Sequence, residues 1–163
     1  MAETMEDVRG LPKPQAYAAL ESQLTSLLHD MNDSIAVMAT LSCVLHFGFG
    51  HLWTGFYRRV QDRLVVGPYQ GTLGCLEIGF KKGVCGTAWA ERRTVVVPDV
   101  SQFPGHIACD ARSRSEIVVP LFDRSGEVVA VLDIDSAEPA RFDATDARVL
   151  ESWVARFCST VGG

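Results

Sequence analysis

The strongest structural signal in this sequence lies in Arg114-Ser-Glu-Ile-Val-Val-Pro-Leu-Phe-Asp-Arg-Ser-Gly-Glu-Val-Val-Ala-Val-Leu-Asp-Ile-Asp135. Residues 114–122 and 127–135 are rich in β-branched side chains, and Asp123-Arg-Ser-Gly126 between them has the composition of a tight turn. The stretch therefore predicts a β-hairpin, whose antiparallel strands alternate their side chains between two faces.

Further elements are expected on both sides of this hairpin. They are strands at 52–60, 63–69 and Thr94–Pro98, a short helix at 84–92, and helices at 14–31, at Ser34–Phe47 and from about Asp143 onward. Gln61-Asp62 is the expected turn of a second hairpin, Gly48 is an expected helix stop, and 99–113 predicts a long surface loop. Hairpin links between strands imply an antiparallel sheet with helices packed on it, which is the α+β class.

Composition and charge narrow the function classes. The chain has 163 residues, 47% of them apolar, and carries 15 Lys and Arg against 20 Asp and Glu, a net charge of −5. This favours a single globular domain over 1–163, with 1–13 as a flexible N-terminal segment, and argues against nucleic-acid binding. No Gly-rich nucleotide loop follows a strand, and no G-x-S-x-G hydrolase motif occurs.

One uncharged run, 34–57, is long enough to span a bilayer. Glycine and histidine residues interrupt it, so we interpret it as a buried helix followed by a buried strand. The first residues are acidic and carry no secretory signal, which predicts a cytoplasmic protein whose thiols are reduced at rest.

Alternation along the last strand predicts a cluster of acids. One face carries Val128, Ala130, Leu132 and Ile134, and the other carries Val129, Val131, Asp133 and Asp135. Glu116 on the partner strand can approach the two aspartates. Crowding and burial would raise the pKa of at least one carboxyl, which could then act as a general acid while an ionised neighbour holds an ammonium group. The same spacing also fits acids that face solvent, and it does not choose between the two arrangements.

The first strand of the sheet carries Trp53, Gly55 and Tyr57 on one face. Two rings that flank a glycine predict a slot for a small apolar or sulfur-bearing group. Plain core aromatics explain the same pattern.

Three of the five cysteines lie in segments typical of reactive thiols. Cys109 is close to Arg112 and Arg114, Cys85 begins the short helix, and Cys75 follows a glycine. Basic neighbours and a helix N-terminus both favour the thiolate. The other two cysteines, Cys43 and Cys158, fall on apolar helix stripes and are expected in the core. A zinc set of Cys75, Cys85, His106 and Cys109 lacks the short paired spacings of structural zinc sites, so no metal is expected.

Several sequence blocks, taken in order, resemble one family. They are Gly67-Pro-Tyr-Gln-Gly71, Gly83-Val-Cys-Gly-Thr-Ala-Trp89, Val97-Pro-Asp-Val100, Phe103-Pro-Gly-His-Ile-Ala-Cys-Asp110, Ser115-Glu-Ile-Val-Val-Pro120 and Val131-Leu-Asp-Ile-Asp-Ser136. This pattern closely resembles the free methionine-(R)-sulfoxide reductases, which are built on a GAF domain. The likeness covers about 50–140 in motif detail, and the flanking helices fit the fold.

The resemblance implies a GAF sheet of about six antiparallel strands, with helices on one face and loops capping a ligand pocket on the other. It implies that Cys109 is the nucleophile, Cys75 the main resolving thiol and Cys85 a resolving or relay thiol. The carboxyls Glu116, Asp133 and Asp135 and the rings of Trp53 and Tyr57 would then bind the substrate, with Glu116 as the acid that protonates the sulfoxide oxygen.

The same resemblance names the partners. The reaction would convert free L-methionine (R)-S-oxide to L-methionine through a sulfenic acid and an intramolecular disulfide. Thioredoxin is the implied external reductant, no cofactor is required, and a homodimer is the implied assembly. Two alternatives stay open: a GAF module that senses a small ligand without turnover, and a thiol redox switch without a substrate.

Overall fold

A six-stranded antiparallel sheet organises the computed structural model of this chain, which describes residues 3–162. The elements are α1 (Lys13–Leu27), α2 (Ser34–Phe49), β1 (Trp53–Val60), β2 (Arg63–Gly71), β3 (Glu77–Gly79), α3 (Gly83–Glu91), β4 (Val95–Val97), a 3-10 turn (Val100–Gln102), β5 (Ser115–Phe122), β6 (Val128–Ser136) and α4 (Ala144–Phe157). The strand order is β3-β2-β1-β6-β5-β4. The predicted α+β class with an antiparallel sheet is therefore confirmed.

The two faces of the sheet build two separate apolar clusters. On one face, α1, α2 and α4 cover inward side chains such as Phe56, Ile117 and Leu132, which form the larger core. On the other face, α3 and the adjoining loops cover a smaller cluster that includes Trp53, Tyr57, Val118 and Val131. The side-chain alternation of the strands thus assigns one face to the core and the other to a pocket.

The central hairpin contains one irregularity that the sequence pattern did not predict. Leu121 stands opposite Ala130, but Phe122 stands opposite Val128, so Val129 is an extra residue in β6. Such a bulge reverses the alternation on one side of it. Val128 consequently packs on the pocket face and Val129 against the larger core, so the predicted faces of these two residues were wrong.

Helix ends differ from the predicted ones in two places. Helix α2 continues past Gly48 and ends at Phe49, and Gly50 caps it in the left-handed conformation that is common after a helix, with a φ of 71°. Gly48 is buried inside the helix, where an added Cβ would lie 3.0 Å from the side chain of Leu20. Helix α1 ends at Leu27 rather than at residue 31. For α4 the predicted N-cap is confirmed, since the Asp143 side chain accepts hydrogen bonds from the Thr145 and Asp146 backbone N–H groups.

Residues 3–12 run without regular structure beside the helical layer. Val8 is buried there, and its backbone N–H donates a hydrogen bond to the Gly48 carbonyl at 3.1 Å. The expected flexibility of 1–13 stays a prediction. The uncharged run at 34–57 forms α2 and β1, as predicted, and within 3–162 no helix is both long and apolar enough to cross a membrane.

Candidate active site

Three acids meet on the pocket face of the sheet. Glu116 of β5 stands directly opposite Asp135 of β6, and Asp133 lies one alternation away on the same face. Glu116 and Asp133 are buried and Asp135 is partly buried, so the predicted cluster forms and the solvent-facing alternative is wrong. Ser113 donates a hydrogen bond from its Oγ to Asp135 Oδ1 at 3.1 Å. Asp133 Oδ1 is buried without a hydrogen-bond partner in the part of the chain that the structure describes.

Burial sets the protonation of this cluster. It raises the pKa of Glu116 well above the usual range of a glutamic acid, and the charge of Asp135 raises it further. The pKa values of Asp133 and Asp135 are also raised well above their ordinary range, first by burial and then by the neighbouring acid. Burial and crowding therefore favour the protonated form of these carboxyls, which is the condition for a general acid.

His106 contacts Glu116 and was missed as a site residue by the sequence analysis, which treated it only as a candidate zinc ligand. Its Nε2 lies 3.1 Å from Glu116 Oε2, and burial lowers the pKa of the imidazole. Its position three residues before Cys109, in the same loop, was the available signal.

Cys85 lies beside the acids but does not have the reactivity predicted from its place at the start of α3. The thiol is buried, and burial together with the charges of Asp133 and Glu116 raises its pKa well above the ordinary value. These effects outweigh the helix dipole, so the predicted thiolate at Cys85 was wrong.

The rings of β1 form a wall beside the acids. Trp53 stands opposite Asp135 and Gly55 opposite Asp133 across β1 and β6. Trp53 stacks on Tyr57 with ring centroids 5.6 Å apart and on Tyr69 at 5.1 Å. The rings touch one another, so the slot predicted between Trp53 and Tyr57 is absent and they line one side of the pocket instead.

Gly55 has a role that follows from this stack. A Cβ on Gly55 would lie 2.2 Å from the Tyr69 Cβ, so only glycine lets the three rings approach.

A disulfide joins Cys75 to Cys109, with the two Cα atoms 5.7 Å apart. It connects the loop before β3 to the loop between β4 and β5, and Cys109 is exposed. The predicted basic neighbours are engaged elsewhere: Arg112 pairs with Asp110 at 2.7 Å, and Arg114 donates to backbone carbonyls. Cys109 carries no thiol in this disulfide form, so activation of its thiolate by the two arginines stays a prediction.

The remaining cysteines separate by burial. Cys158 lies in the larger core, as predicted, whereas Cys43 is only partly buried and does not belong to it. In the zinc set that the sequence spacing disfavours, Cys75 and Cys109 are bonded to each other, so neither offers a thiolate to a metal in this structure. Among residues 3–162, the one group of three potential ligands is Cys85, Glu116 and Asp133, whose ligand atoms lie within 4.8 Å of one another.

These residues line a single pocket. Cys109 of the disulfide, the three acids, His106 and the rings of Trp53 and Tyr57 surround a cavity of about 30 Å³. The site thus combines a disulfide, acids whose protonated form is favoured and an aromatic wall, a set of groups suited to the chemistry of a small, polar, oxidised sulfur compound.

Comparison with known proteins places this architecture in a family. The sequence model of the GAF domain family matches residues 34–155 of this chain. The free methionine-R-sulfoxide reductase of Escherichia coli is 40% identical over 145 residues, which cover 88% of this chain and 87% of that protein.

Two solved structures extend the comparison. The free methionine-R-sulfoxide reductase of Neisseria meningitidis, in complex with its substrate, is 41% identical with a TM-score of 0.91, and the match covers 98% of this chain and 96% of that one. A putative GAF sensor protein of Burkholderia vietnamiensis is 45% identical with a TM-score of 0.86, covering 92% and 96%. By sequence and fold, the chain belongs to the GAF-domain family, among the free methionine-R-sulfoxide reductases.

Proposed function

We propose that this protein reduces free L-methionine (R)-S-oxide to L-methionine. The observation that carries the proposal is the shared pocket, in which Cys109 and the three acids Glu116, Asp133 and Asp135 line the same small cavity. Sulfoxide reduction needs both a sulfur nucleophile and a proton donor for the oxygen, and this pocket supplies both.

The substrate's ammonium group fits the aspartates. Asp133 Oδ1 is buried and has no hydrogen-bond partner among residues 3–162, so an ammonium donor would satisfy it and draw this carboxyl toward its ionised form. Asp135, oriented by Ser113, adds a second acceptor. A peptide-bound methionine sulfoxide has no free ammonium there, so the pocket selects the free amino acid.

The chemical step then divides between Glu116 and Cys109. Glu116 donates its proton to the sulfoxide oxygen, and the Cys109 thiolate attacks the sulfur, which rests against the Trp53 ring. Methionine leaves, the oxygen stays on Cys109 as a sulfenic acid, and two electrons have passed from the cysteine to the substrate.

Recycling completes the reaction. The Cys75 thiol condenses with the sulfenic acid, which releases water and forms the Cys75–Cys109 disulfide. Thioredoxin, oxidised to its own disulfide, returns both sulfurs to thiols. The bond between Cys75 and Cys109 supports Cys75 as the resolving thiol, and the buried Cys85 has no direct role in this scheme. Homodimer formation belongs to the same proposal and is measured by light scattering.

One assay tests the activity. The reduced protein is incubated with dithiothreitol and racemic methionine sulfoxide, and each epimer is followed by chiral chromatography. We expect the (R)-S-oxide to be converted to methionine and the (S)-S-oxide to remain. N-acetyl methionine sulfoxide, which lacks the ammonium group, is the matched control and should not react. Loss of neither epimer would contradict the proposal and favour a sensor or a redox switch.

A further inference from the structure

Exposed apolar side chains surround the disulfide. Leu73 is 84% exposed and Leu76 is 75% exposed, which are the two highest values among the large hydrophobic residues of 3–162. They flank Cys75 in sequence. Ile107, 40% exposed, lies two residues before Cys109. We call these three side chains the disulfide collar.

The collar is not explained by folding. A singly exposed leucine is ordinary, but three exposed apolar side chains on the two loops that the disulfide joins mark a contact site. Leu73 and Ile107 also border the pocket, but the Leu76 side chain does not, so substrate binding does not explain the exposure of Leu76. Its backbone carbonyl accepts a hydrogen bond from Val66 N–H, which fixes the residue while its side chain points into solvent.

Charges close to the collar are already paired. Asp110 is bound by Arg112, and its Oδ2 also accepts a hydrogen bond from Thr72 Oγ1 at 2.8 Å. Glu77, next to Leu76, is paired with Arg63 at 3.1 Å. The surface around the disulfide therefore presents apolar area with little free charge, and it complements an apolar partner surface rather than a charged one.

The disulfide indicates which partner this is. Reducing it takes two electrons and two protons, and a small dithiol that diffuses to the exposed Cys109 needs no surrounding contact surface. A protein dithiol does need one, because its attacking sulfur must stay close to the disulfide while the first bond forms.

We propose that the disulfide collar is the docking surface for a protein dithiol whose reactive cysteine lies in an apolar surface. This inference rests on the proposed function, since only turnover produces the disulfide repeatedly. A partner thiolate attacks one sulfur of the Cys75–Cys109 pair, and the other leaves as a thiolate that takes a proton from water. The partner's second thiol then breaks the mixed disulfide, so the enzyme ends with two thiols and the partner with a disulfide.

The test compares two reductants on one variant. In Leu76→Ser, the reaction driven by thioredoxin should show a KM for thioredoxin raised roughly five- to tenfold, the usual effect of losing one central contact residue. The rate with dithiothreitol should equal that of the wild type. The matched control is Ile35→Ser, which removes a 60% exposed side chain from α2, on the opposite side of the sheet, and should change neither value.

Each other outcome overturns the inference. An unchanged KM for thioredoxin in Leu76→Ser removes the collar as a docking surface. If the wild type turns over with dithiothreitol but not with thioredoxin, a protein dithiol of this kind is excluded as the partner. A change in mass by light scattering, with an unchanged KM, assigns the collar to self-association. Absence of turnover with dithiothreitol in the wild type is the separate result that contradicts the proposed function itself.

Discussion

Two kinds of neighbour act on the proton of Glu116. Burial and the charge of Asp135 raise the pKa of the carboxyl and so favour its protonated form, whereas the His106 imidazole, 3.1 Å away, offers a hydrogen-bond partner. Because burial lowers the pKa of His106, its ring is neutral near pH 7 and its Nε2 can accept the Glu116 hydroxyl. The ring thus orients the proton that the reaction uses.

The first prediction concerns that proton. Glu116→Gln keeps the size of the side chain but removes the acid, so methionine release in a single turnover of the reduced protein should slow by ~10²–10⁴, the usual value of general acid catalysis. Glu127→Gln makes the same change at the exposed end of the β5–β6 hairpin and should leave the rate unchanged. A wild-type rate in Glu116→Gln would remove this residue from the mechanism.

A second prediction assigns His106 as a positioning residue. His106→Phe removes the hydrogen bond to Glu116, and kcat should fall roughly tenfold with little change in KM, which corresponds to one hydrogen bond of about 1 to 1.5 kcal/mol. His106→Gln restores a side chain that can accept the bond and should recover most of the rate. Equal losses in both variants, or a rise in KM alone, would indicate a packing role instead.

At the scale of elements, the strands could be predicted from sequence where their alternation is regular. Glu116 and Asp133 lie on the same face, as their alternation predicted, because β5 and β6 pair without interruption there. The bulge at Val129 could not be predicted, because nothing in a run of valines marks an extra residue. Strand β3 has only three residues, Glu77–Gly79, which is too short to show an alternation of apolar and polar side chains. The end of α2 was missed because Gly48 is needed for its contact with Leu20 rather than as a stop.

Two loops close the pocket in the disulfide form. The loop before β3 lies over the rings, where a Cβ on Gly74 would be 3.0 Å from Trp53 and 3.1 Å from the Tyr57 hydroxyl. It is held to the β4–β5 loop by the disulfide and by the hydrogen bond from Thr72 to Asp110. The cavity of about 30 Å³ that remains is too small for an amino acid.

The third prediction follows from this closure. The oxidised protein should show no heat of binding for methionine (R)-S-oxide in calorimetry, whereas Cys109→Ser, in which the disulfide cannot form, should bind it. Oxidised Cys43→Ser, altered at a free cysteine away from the disulfide, should behave like the oxidised wild type. Equal affinity in the oxidised and disulfide-free proteins would show that the loops do not close the site.

In the whole molecule, the buried acids of the site lower the free energy of unfolding as the pH rises. A group whose pKa is raised on folding binds its proton more tightly in the folded state, so its stabilising effect is complete below the unfolded pKa and is lost as the pH rises toward the folded pKa. Glu116, Asp133 and Asp135 all belong to this class. His51, whose pKa is lowered by burial to about 3, acts in the opposite sense, because stability is lost as the pH falls below the unfolded value of histidine.

The fourth prediction isolates the acids. Asp133→Asn cannot ionise and also removes a charge that acts on Glu116, so its free energy of unfolding in urea should exceed that of the wild type at pH 8. The advantage should shrink toward pH 4, with a slope of up to about 1.4 kcal/mol per pH unit for each proton involved. Asp123→Asn gives the contrast, because hydrogen bonds from Ser125 lower the pKa of Asp123. That variant should be less stable than the wild type at pH 8 and approach it in acid. A pH-independent difference for Asp133→Asn would mean that the cluster ionises as readily in the folded chain as in the unfolded one, and Glu116 would then lack the raised pKa that a proton donor needs.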